Sequence, residues 1–194
     1  MFLSSPTKAL VPGKGPKDAK IVIVGEFTDA WDYRNNKPFS GPAGQVLEQC
    51  LHAAELIRGE IYLTNVIKYV TNPHSLKEYY IPTEGNKRGK FTPAGYEQID
   101  LLKEELNEVN PNIIVTAGPA ALTAVTGLSA GRKLRGYVVA SRGLAREYKV
   151  IPTVSPASTV HKNYIDRQLL LNDLRKVKLE STSPEIVRPG RQLV

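Results

Sequence analysis

The strongest constraint on the fold of this chain is an unbroken run of β-branched residues, Ile21-Val22-Ile23-Val24, which stops at Gly25. A strand with one face in water alternates apolar and polar residues, whereas a continuous apolar run is typical of a strand that is covered on both faces. Such a strand needs one layer of helices above the sheet and another below it. The run therefore predicts the central strand of an α/β protein.

Strand-like and helix-like segments alternate along the rest of the chain. Further strands are predicted over residues 60–66, 112–117, 136–140 and 148–154, helices over residues 44–56, 95–110, 118–126 and 163–177, and loops over residues 1–19, 26–42 and 70–94. This alternation indicates a three-layer α/β/α domain with a central, mostly parallel sheet of four or five strands. We expect one such domain over residues 1–178 and a mobile tail over residues 179–194.

The charge balance narrows the choice of partners. Lys and Arg total 26, Asp and Glu total 19, and the net charge is +7. A basic surface favours polyanions such as nucleic acid, because each Lys or Arg near a phosphate releases condensed counterions. A basic surface that meets only water has the same composition, so charge alone leaves both interpretations open.

The chain has a single cysteine, Cys50, in an apolar helical run, which predicts a buried structural thiol. One cysteine excludes a disulfide framework, a thiolate zinc site and an all-cysteine iron–sulfur cluster within one chain, and we expect no metal or other cofactor. The sequence has neither an apolar run of about 18 residues nor a signal-peptide core. These features favour a soluble protein in a reducing, cytoplasmic compartment without membrane contact, with cellular and viral origins both open.

Glycine and polar residues stand at the ends of the predicted strands. They are Gly25 and Glu26, Thr64 and Asn65, Gly118, and Ser155. Ligands of open α/β sheets bind at the carboxyl ends of the strands. We therefore expect these residues to meet at one edge of the sheet and to form a ligand site there.

Four segments carry a resemblance to a known family. Residues 24–44, VGEFTDAWDYRNNKPFSGPAG, resemble the first motif of family 4 uracil-DNA glycosylases, in which GEAPG is followed by a spacer, PFVG and a small residue before AG. Residues 62–68, YLTNVIK, are similar to that family's YITNVVK. Residues 112–118, NIIVTAG, resemble its strand leading to LG, and residues 151–158, IPTVSPAS, resemble its PTYHPS segment.

The resemblance implies a monomeric uracil-DNA glycosylase-like domain that hydrolyses the N-glycosidic bond of uracil or a related base in base excision repair. Its partner is then DNA with a flipped-out base, and replication or repair proteins are further candidates. Phe39 is the candidate for stacking on the base, and Asn65 for reading its edge. Gly25 and Phe27, in the first motif, are the further candidates for contact with the base. A core position for Phe39 and a strand-end cap at Asn65 are the alternatives.

The candidate catalytic residues are Glu26, Asp29 and Ser155. Glu26 and Asp29 would position water or stabilise an oxocarbenium-like sugar, and Ser155 would assist near the leaving base. A solvated loop acid at Glu26 and an ordinary aspartate before a helical turn at Asp29 are equally open.

The candidate DNA contacts are Gly41, Gly44, Lys87, Arg88, Lys90 and Ser158. Backbone amides at the two glycines can approach a ligand or phosphate, the hydroxyl of Ser158 can hold a phosphate, and the basic residues can follow the DNA backbone. A merely solvated surface is the usual alternative for a basic cluster.

The chain departs from the family pattern at three points. Phe27, Thr28 and Asp29 replace its Ala, Pro and Gly, and the ring of Phe27 is expected to narrow or close the base pocket. Ser155 replaces its histidine, so a neutral donor faces the leaving base where the family has a group that can carry positive charge. The four cysteines that hold an iron–sulfur cluster in many family members are absent.

Three functions remain in competition at this level. The first is an active DNA glycosylase. The second is a catalytically weak or inactive protein of the same fold that binds DNA as an accessory factor. The third, an unrelated nucleotide-binding α/β protein, finds no GxGxxG or Walker pattern in the sequence.

Overall fold

The computed structural model describes residues 10–70, 76–81, 89–129, 131–160 and 164–186. The helices are α1 (Ala30–Asn35), α2 (Pro42–Ala53), α3 (Pro93–Val109), α4 (Pro119–Thr126), α5 (Pro156–Val160) and α6 (Tyr164–Glu180). The strands are β1 (Ile21–Thr28), β2 (Ile61–Val70), β3 (Tyr80–Ile81), β4 (Lys90–Phe91), β5 (Ile113–Ala117), β6 (Val139–Ala140) and β7 (Lys149–Thr153). In the described part of the chain, no helix combines the length and apolar character that crossing a bilayer requires.

Five strands form one sheet in the order β2-β1-β5-β7-β6. β1 pairs in parallel with β2 and with β5, and β5 pairs in parallel with β7. The short strand β6 runs antiparallel to β7, and β3 and β4 form a separate antiparallel pair. The predicted three-layer α/β/α architecture with a mostly parallel sheet of four or five strands is confirmed.

The apolar run in β1 is explained by the two layers of helices. Val22 and Val24 face a core that α3 and α4 close, whereas Ile21 and Ile23 face a second core that α2 and α6 close. All four side chains are buried. Fully burying one such side chain contributes about 1.5–3 kcal/mol. Both faces of the strand therefore need apolar residues, and alternation with polar ones would leave one core incomplete.

Helix α1 lies inside the segment that the sequence predicts as a loop. The carboxylate of Asp29 starts it by accepting hydrogen bonds from the backbone N–H groups of Trp31 at 2.8 Å and Asp32 at 2.9 Å. A helix of six residues is too short to show the apolar periodicity on which helix prediction relies. The cap is therefore the local signal for this helix.

Strands β1 and β2 both run further than predicted. β1 continues past Gly25 to Thr28, and β2 continues past Val66 to Val70. Gly25 stays in register with Asn65, and the register shifts only between Phe27 and Thr28. The glycine that looked like a strand end is therefore an interior position of the strand.

The outer parts of the described chain are anchored to the sheet. Residues 10–14 run along the outer edge of β2, where the Val11 N–H donates to the Lys68 carbonyl at 2.9 Å. Helix α6 continues beyond its predicted end at Val177 to Glu180, because the buried ammonium of Lys149 donates to the Glu180 carbonyl at 2.5 Å. The first residues of the predicted tail are thus helical, and residues 187–194 lie outside the described residues.

Candidate active site

A cavity of about 110 Å³ opens at the carboxyl edge of the sheet. Residues of β1, β2 and β5, residues that follow β7 and residues of the segment between β1 and α2 line it. They are Gly25, Glu26, Phe27, Asp29, Asp32, Phe39, Gly41, Ala43, Asn65, Ala117, Ser155, Pro156 and Ala157. The structure therefore brings the candidates Phe39, Asn65, Glu26 and Ser155 together although they are far apart in sequence.

Phe39 and Asn65 approach each other over Gly25. The backbone of Phe39 has a φ of 56°, in the left-handed region that non-glycine residues seldom adopt. A Cβ atom at Gly25 would collide with both the Phe39 ring and the amide oxygen of Asn65. Gly25 therefore provides the space that the two candidate base-binding side chains occupy. Backbone strain of the kind seen at Phe39 concentrates at functional sites.

The two glycines at the start of α2 make room for the same segment. Gly44 is buried, and a Cβ atom there would collide with the carbonyl of Phe39. Gly41 is the N-cap of α2 and lines the cavity, and a Cβ atom there would stand 3.0 Å from the Trp31 ring. Packing thus accounts for both glycines, and their contact with DNA stays a prediction.

The amide of Asn65 is held in a single orientation on the cavity wall. Its Nδ2 donates to Oδ2 of Asp32 at 3.0 Å and lies 3.4 Å from Oγ1 of Thr28. The residue is 3% exposed, so these protein contacts rather than solvent fix the amide. Asn65 is therefore preorganised to present its oxygen on the side of Gly25.

Asp32 is the site residue that the sequence interpretation missed. It is buried, and its Oδ1 accepts a hydrogen bond from the Ser40 N–H at 2.8 Å. Asp29 instead uses its carboxylate to cap α1, which is the alternative of an ordinary aspartate before a helical turn. An N-cap residue followed three positions later by an acid is close to a capping box, and that spacing is the signal the sequence offers for Asp32.

The carboxyl of Asp32 titrates above its normal range. Burial raises the pKa of Asp32 to about 6, the nearby charge of Asp29 adds to the rise, and hydrogen bonds from Ser40 and Asn65 oppose it. At neutral pH the group is mostly ionised. The cavity therefore holds a carboxylate directly behind the Asn65 amide.

Glu26 is a partly buried acid near the end of β1 and not the solvated loop residue of the alternative interpretation. Its Oε1 accepts a hydrogen bond from the Ala120 N–H, at the start of α4, at 2.8 Å. Burial raises the pKa of Glu26 to about 7, and the bond from Ala120 offsets this only in part. Near neutral pH the carboxyl is thus divided between its acid and base forms.

A second cavity, of about 340 Å³, adjoins the first. Glu26 and Ser155 line both cavities. The guanidinium of Arg135 lines the larger one and pairs with Oδ1 of Asp173 at 2.6 Å, while Thr153 donates to Oδ2 of Asp173 at 2.7 Å. Glu26 and Ser155 therefore stand on the boundary between the smaller and the larger cavity.

The serine pair at the start of α5 splits into two different environments. Ser155 lines both cavities, and its carbonyl accepts from the Ser158 N–H at 3.0 Å. The hydroxyl of Ser158 lies 2.7 Å from that carbonyl and 3.1 Å from Oδ2 of Asp166. A carboxylate beside Ser158 disfavours an approaching phosphate, so the geometry adds no support to its predicted phosphate contact.

Phe27 narrows the cavity from one side without closing it. Its ring packs on Tyr80 of β3 with the ring centroids 6.1 Å apart, and Tyr80 packs in turn on Phe91 at 4.9 Å. This aromatic group belongs to the core beneath α3. Phe27 is therefore part of the pocket wall, where it restricts the pocket.

The predicted basic cluster is only partly described. Lys90 is exposed on β4, beside the buried Phe91, whereas Lys87 and Arg88 lie outside the described residues. DNA contact by the three side chains stays a prediction.

The residues present do not fit the iron–sulfur cluster that the resemblance raises. Cys50 is the single cysteine of the chain and is buried in α2 against the core. Burial raises the pKa of its thiol, which disfavours the thiolate that a cluster requires. Among the described residues, no three His, Cys, Asp or Glu side chains are grouped so that they could hold a metal ion.

A parallel sheet covered by helices on both faces, with a small pocket at its carboxyl edge lined by a ring, an amide and carboxyls, is the arrangement in which open α/β proteins place their ligand sites. The family model described as "Uracil DNA glycosylase superfamily" matches residues 12–175, and the chain belongs to this superfamily.

Individual relatives agree with the family match. The type-4 uracil-DNA glycosylase of Thermotoga maritima is 31% identical over 172 residues, which cover 87% of this chain and 81% of that protein. The type-4 uracil-DNA glycosylase of Archaeoglobus fulgidus is 28% identical over 172 residues, covering 86% and 79%. A DNA polymerase of Bacillus phage SP01 is 29% identical over 178 residues, which are 90% of this chain but 17% of the polymerase.

Proposed function

We propose that this protein hydrolyses the N-glycosidic bond of uracil, or of a closely related pyrimidine, in DNA. The observation that carries the proposal is the 110 Å³ pocket that is lined by the ring of Phe39, the fixed amide of Asn65 and the carboxyls of Asp32 and Glu26. The relatives named type-4 uracil-DNA glycosylases support the same substrate. The net charge of +7 suits a polyanionic partner.

Base recognition follows from the orientation of Asn65. Because Nδ2 is engaged by Asp32, the amide oxygen is the group left to meet the base on the side of Gly25. An acceptor selects a base that offers an N–H on its edge, which uracil has at N3 and cytosine lacks. The ring of Phe39 supplies a stacking surface next to this acceptor.

The carboxylate for the sugar is Asp32 rather than Asp29. Asp32 is an anion at neutral pH in the pocket, where it stabilises an oxocarbenium-like sugar or orients the attacking water. Asp29 serves by capping the helix that carries Asp32. Glu26, with a pKa of about 7, exchanges a proton with the water or the departing base.

Ser155 assists the leaving base with a neutral hydrogen bond. A serine hydroxyl donates but carries no positive charge, so it stabilises the anionic base less than a protonated donor does. Excision is therefore slower than in a relative with histidine here. Gly41 at the start of α2 and the basic residues Lys87, Arg88 and Lys90 are the groups that we assign to the DNA backbone.

The direct test incubates the protein with uracil-containing oligonucleotides, single- and double-stranded, followed by alkali to cleave abasic sites. We expect cleavage at uracil and none at cytosine, and loss of cleavage in Asn65→Ala. Binding of the oligonucleotides without cleavage, even after long incubation, would replace this proposal by the accessory DNA-binding function.

A further inference from the structure

An exposed tryptophan stands beside the pocket and has no part in the proposed chemistry. Trp31 is 50% exposed, although its indole is the largest of the apolar side chains. It is the only tryptophan of the chain. It lies in the first turn of α1, directly before Asp32, which lines the pocket. Burying an exposed indole is favourable, so a ring held at this place is suited to a contact partner.

The position of the ring is fixed from the pocket side. Gly41, which lines the pocket, comes so close to the indole that a Cβ atom there would stand 3.0 Å from its ring carbons. The backbone N–H of Trp31 is bonded to Asp29 at 2.8 Å. The indole is therefore continuous with the rim of the pocket and does not belong to a mobile loop tip.

The surroundings of the ring favour a nucleobase. The guanidinium of Arg34 lies over the indole, 5.7 Å from its centroid, and both side chains are exposed. A guanidinium and a nucleobase stack on an aromatic face in the same way, and a displaced Arg34 would remain within reach of a phosphate. An exposed ring beside a cation is the combination with which proteins hold single-stranded nucleic acid.

We propose that Trp31 stacks on the base next to the flipped-out nucleotide, with Arg34 pairing to the adjoining phosphate. The proposal rests on the proposed function for the occupant of the pocket. Its own content is a second base-binding position outside the pocket, formed by helix α1, that holds the neighbouring nucleotide while the target base enters.

The test uses the emission of Trp31, which no other tryptophan obscures. The probe is a single-stranded oligonucleotide with one tetrahydrofuran abasic site, whose binding is followed separately by the anisotropy of an attached dye. We expect tryptophan emission to fall on binding. We also expect the fall to disappear, while binding persists, when the nucleotides on both sides of the abasic site lack their bases as well. Unchanged emission at saturation, or no binding of the probe at all, overturns the proposal.

Variants separate stacking from a structural role. Base stacking on an aromatic side chain is worth about 1–3 kcal/mol, so Trp31→Leu should weaken binding of the probe about five- to 150-fold, while Trp31→Phe stays near the natural affinity. Ile57→Ala is the matched control, since Ile57 is also exposed but lies beside the start of β2, at the opposite edge of the sheet. Equal affinities of the Leu and Phe variants would contradict stacking.

Two results distinguish this proposal from the proposed function. Quenching that depends on the neighbouring bases, without any excision of uracil, retains the stacking site and removes the glycosylase activity. Excision of uracil without quenching retains the glycosylase activity and removes the stacking site.

Discussion

Two partly buried glutamates lie against the same sheet, and their pKa values shift in opposite directions. Glu105 on α3 meets the Lys68 ammonium at 2.6 Å, the Thr64 hydroxyl at 2.6 Å and the Tyr62 hydroxyl at 2.8 Å. Burial opposes its ionisation, but Lys68 and the two hydroxyls outweigh burial and lower the pKa of Glu105. For Glu26 burial is the dominant influence, and its pKa rises to about 7.

Two neighbouring residues of strand β2 belong to the two regions, Thr64 to the cluster around Glu105 and Asn65 to the pocket. Thr64 points toward α3 and bonds Glu105, whereas Asn65 points to the other face and bonds Asp32. Successive side chains of a strand face opposite sides, so a single strand builds a closed ionic cluster and an open pocket back to back. A buried acid with a counterion is fixed in charge and stabilises the fold, whereas a buried acid without such compensation keeps a proton available for chemistry.

The pocket and the Glu105 cluster are expected to differ most in their effect on the rate of uracil excision. Asp32→Asn should lower uracil excision about 10²–10⁴-fold, the usual contribution of a positioned acid or base, with a melting temperature close to that of the natural protein. Asp29→Asn is the matched control, because asparagine also caps helices, and its rate should stay within a few-fold. Equal losses in both variants would return the catalytic role to Asp29. Single-turnover cleavage of a uracil oligonucleotide measures both.

Changes in the cluster around Glu105 should instead affect the free energy of unfolding. Lys68→Ala leaves the Glu105 carboxylate buried without its partner and is expected to cost about 3–5 kcal/mol of unfolding free energy. Lys17→Ala, which removes an exposed pair with Glu108 whose side chains are 60% and 61% exposed, should cost less than about 1 kcal/mol. Denaturant unfolding compares the two. Similar values would mean that the Glu105 cluster is no more than a surface ion pair in energy.

Restoring a cationic donor to the pocket should raise the rate. Ser155→His is expected to speed uracil excision by up to about 10²–10³-fold, the range measured for single donors at developing anions in other enzymes. Ser158→His serves as control, because Ser158 does not line the smaller cavity. If Ser155→His alone has no effect, its combination with Phe27→Ala distinguishes a narrowed pocket from a missing catalytic group.

The uncompensated acid should also make stability depend on pH. The folded pKa of Glu26 is about 7 against 4.5 for the free side chain, so between these values the folded chain binds more protons than the unfolded one. Stability therefore falls as pH rises through this window, and Asp32 acts in the same direction between 3.8 and about 6. Glu26→Gln should be more stable than the natural protein at pH 8, by on the order of 3 kcal/mol, and as stable as the natural protein near pH 4. If the unfolding free energies of the two proteins differ by the same amount at every pH, folding does not raise the pKa of Glu26.

The smallest expected effect concerns the basic residues, which belong to neither cluster. Neutralising Lys87, Arg88 and Lys90 together should make the slope of log affinity against log salt shallower by up to about 2 for single-stranded DNA. The slope is read from oligonucleotide binding at several salt concentrations. An unchanged slope identifies the cluster as solvated surface.

The sequence was informative where local pattern and tertiary structure agree. The run Ile21–Val24 predicted the doubly covered strand, and the polar residues at strand ends predicted that Glu26, Asn65 and Ser155 meet. Asp32 was missed because α1, with six residues, is shorter than the window of about 11–18 residues over which helical periodicity is recognised. The Glu105 cluster was missed for another reason. Lys68, the partner of Glu105, is 37 residues away in sequence, and no short-range pattern encodes which residues of α3 and β2 come into contact.

The segment at residues 10–14 has a consequence for association between copies. β2 is the outer strand of the sheet, and an outer strand with free backbone groups invites pairing with another molecule. The Lys14 N–H donates to the Leu63 carbonyl at 2.8 Å, and the Leu63 N–H donates back to the Lys14 carbonyl at 2.9 Å, which occupies part of that edge. At the other edge, β6 has only two residues. The sheet thus offers little continuous template for cross-β growth, because a segment outside the helices and strands covers part of its outer edge.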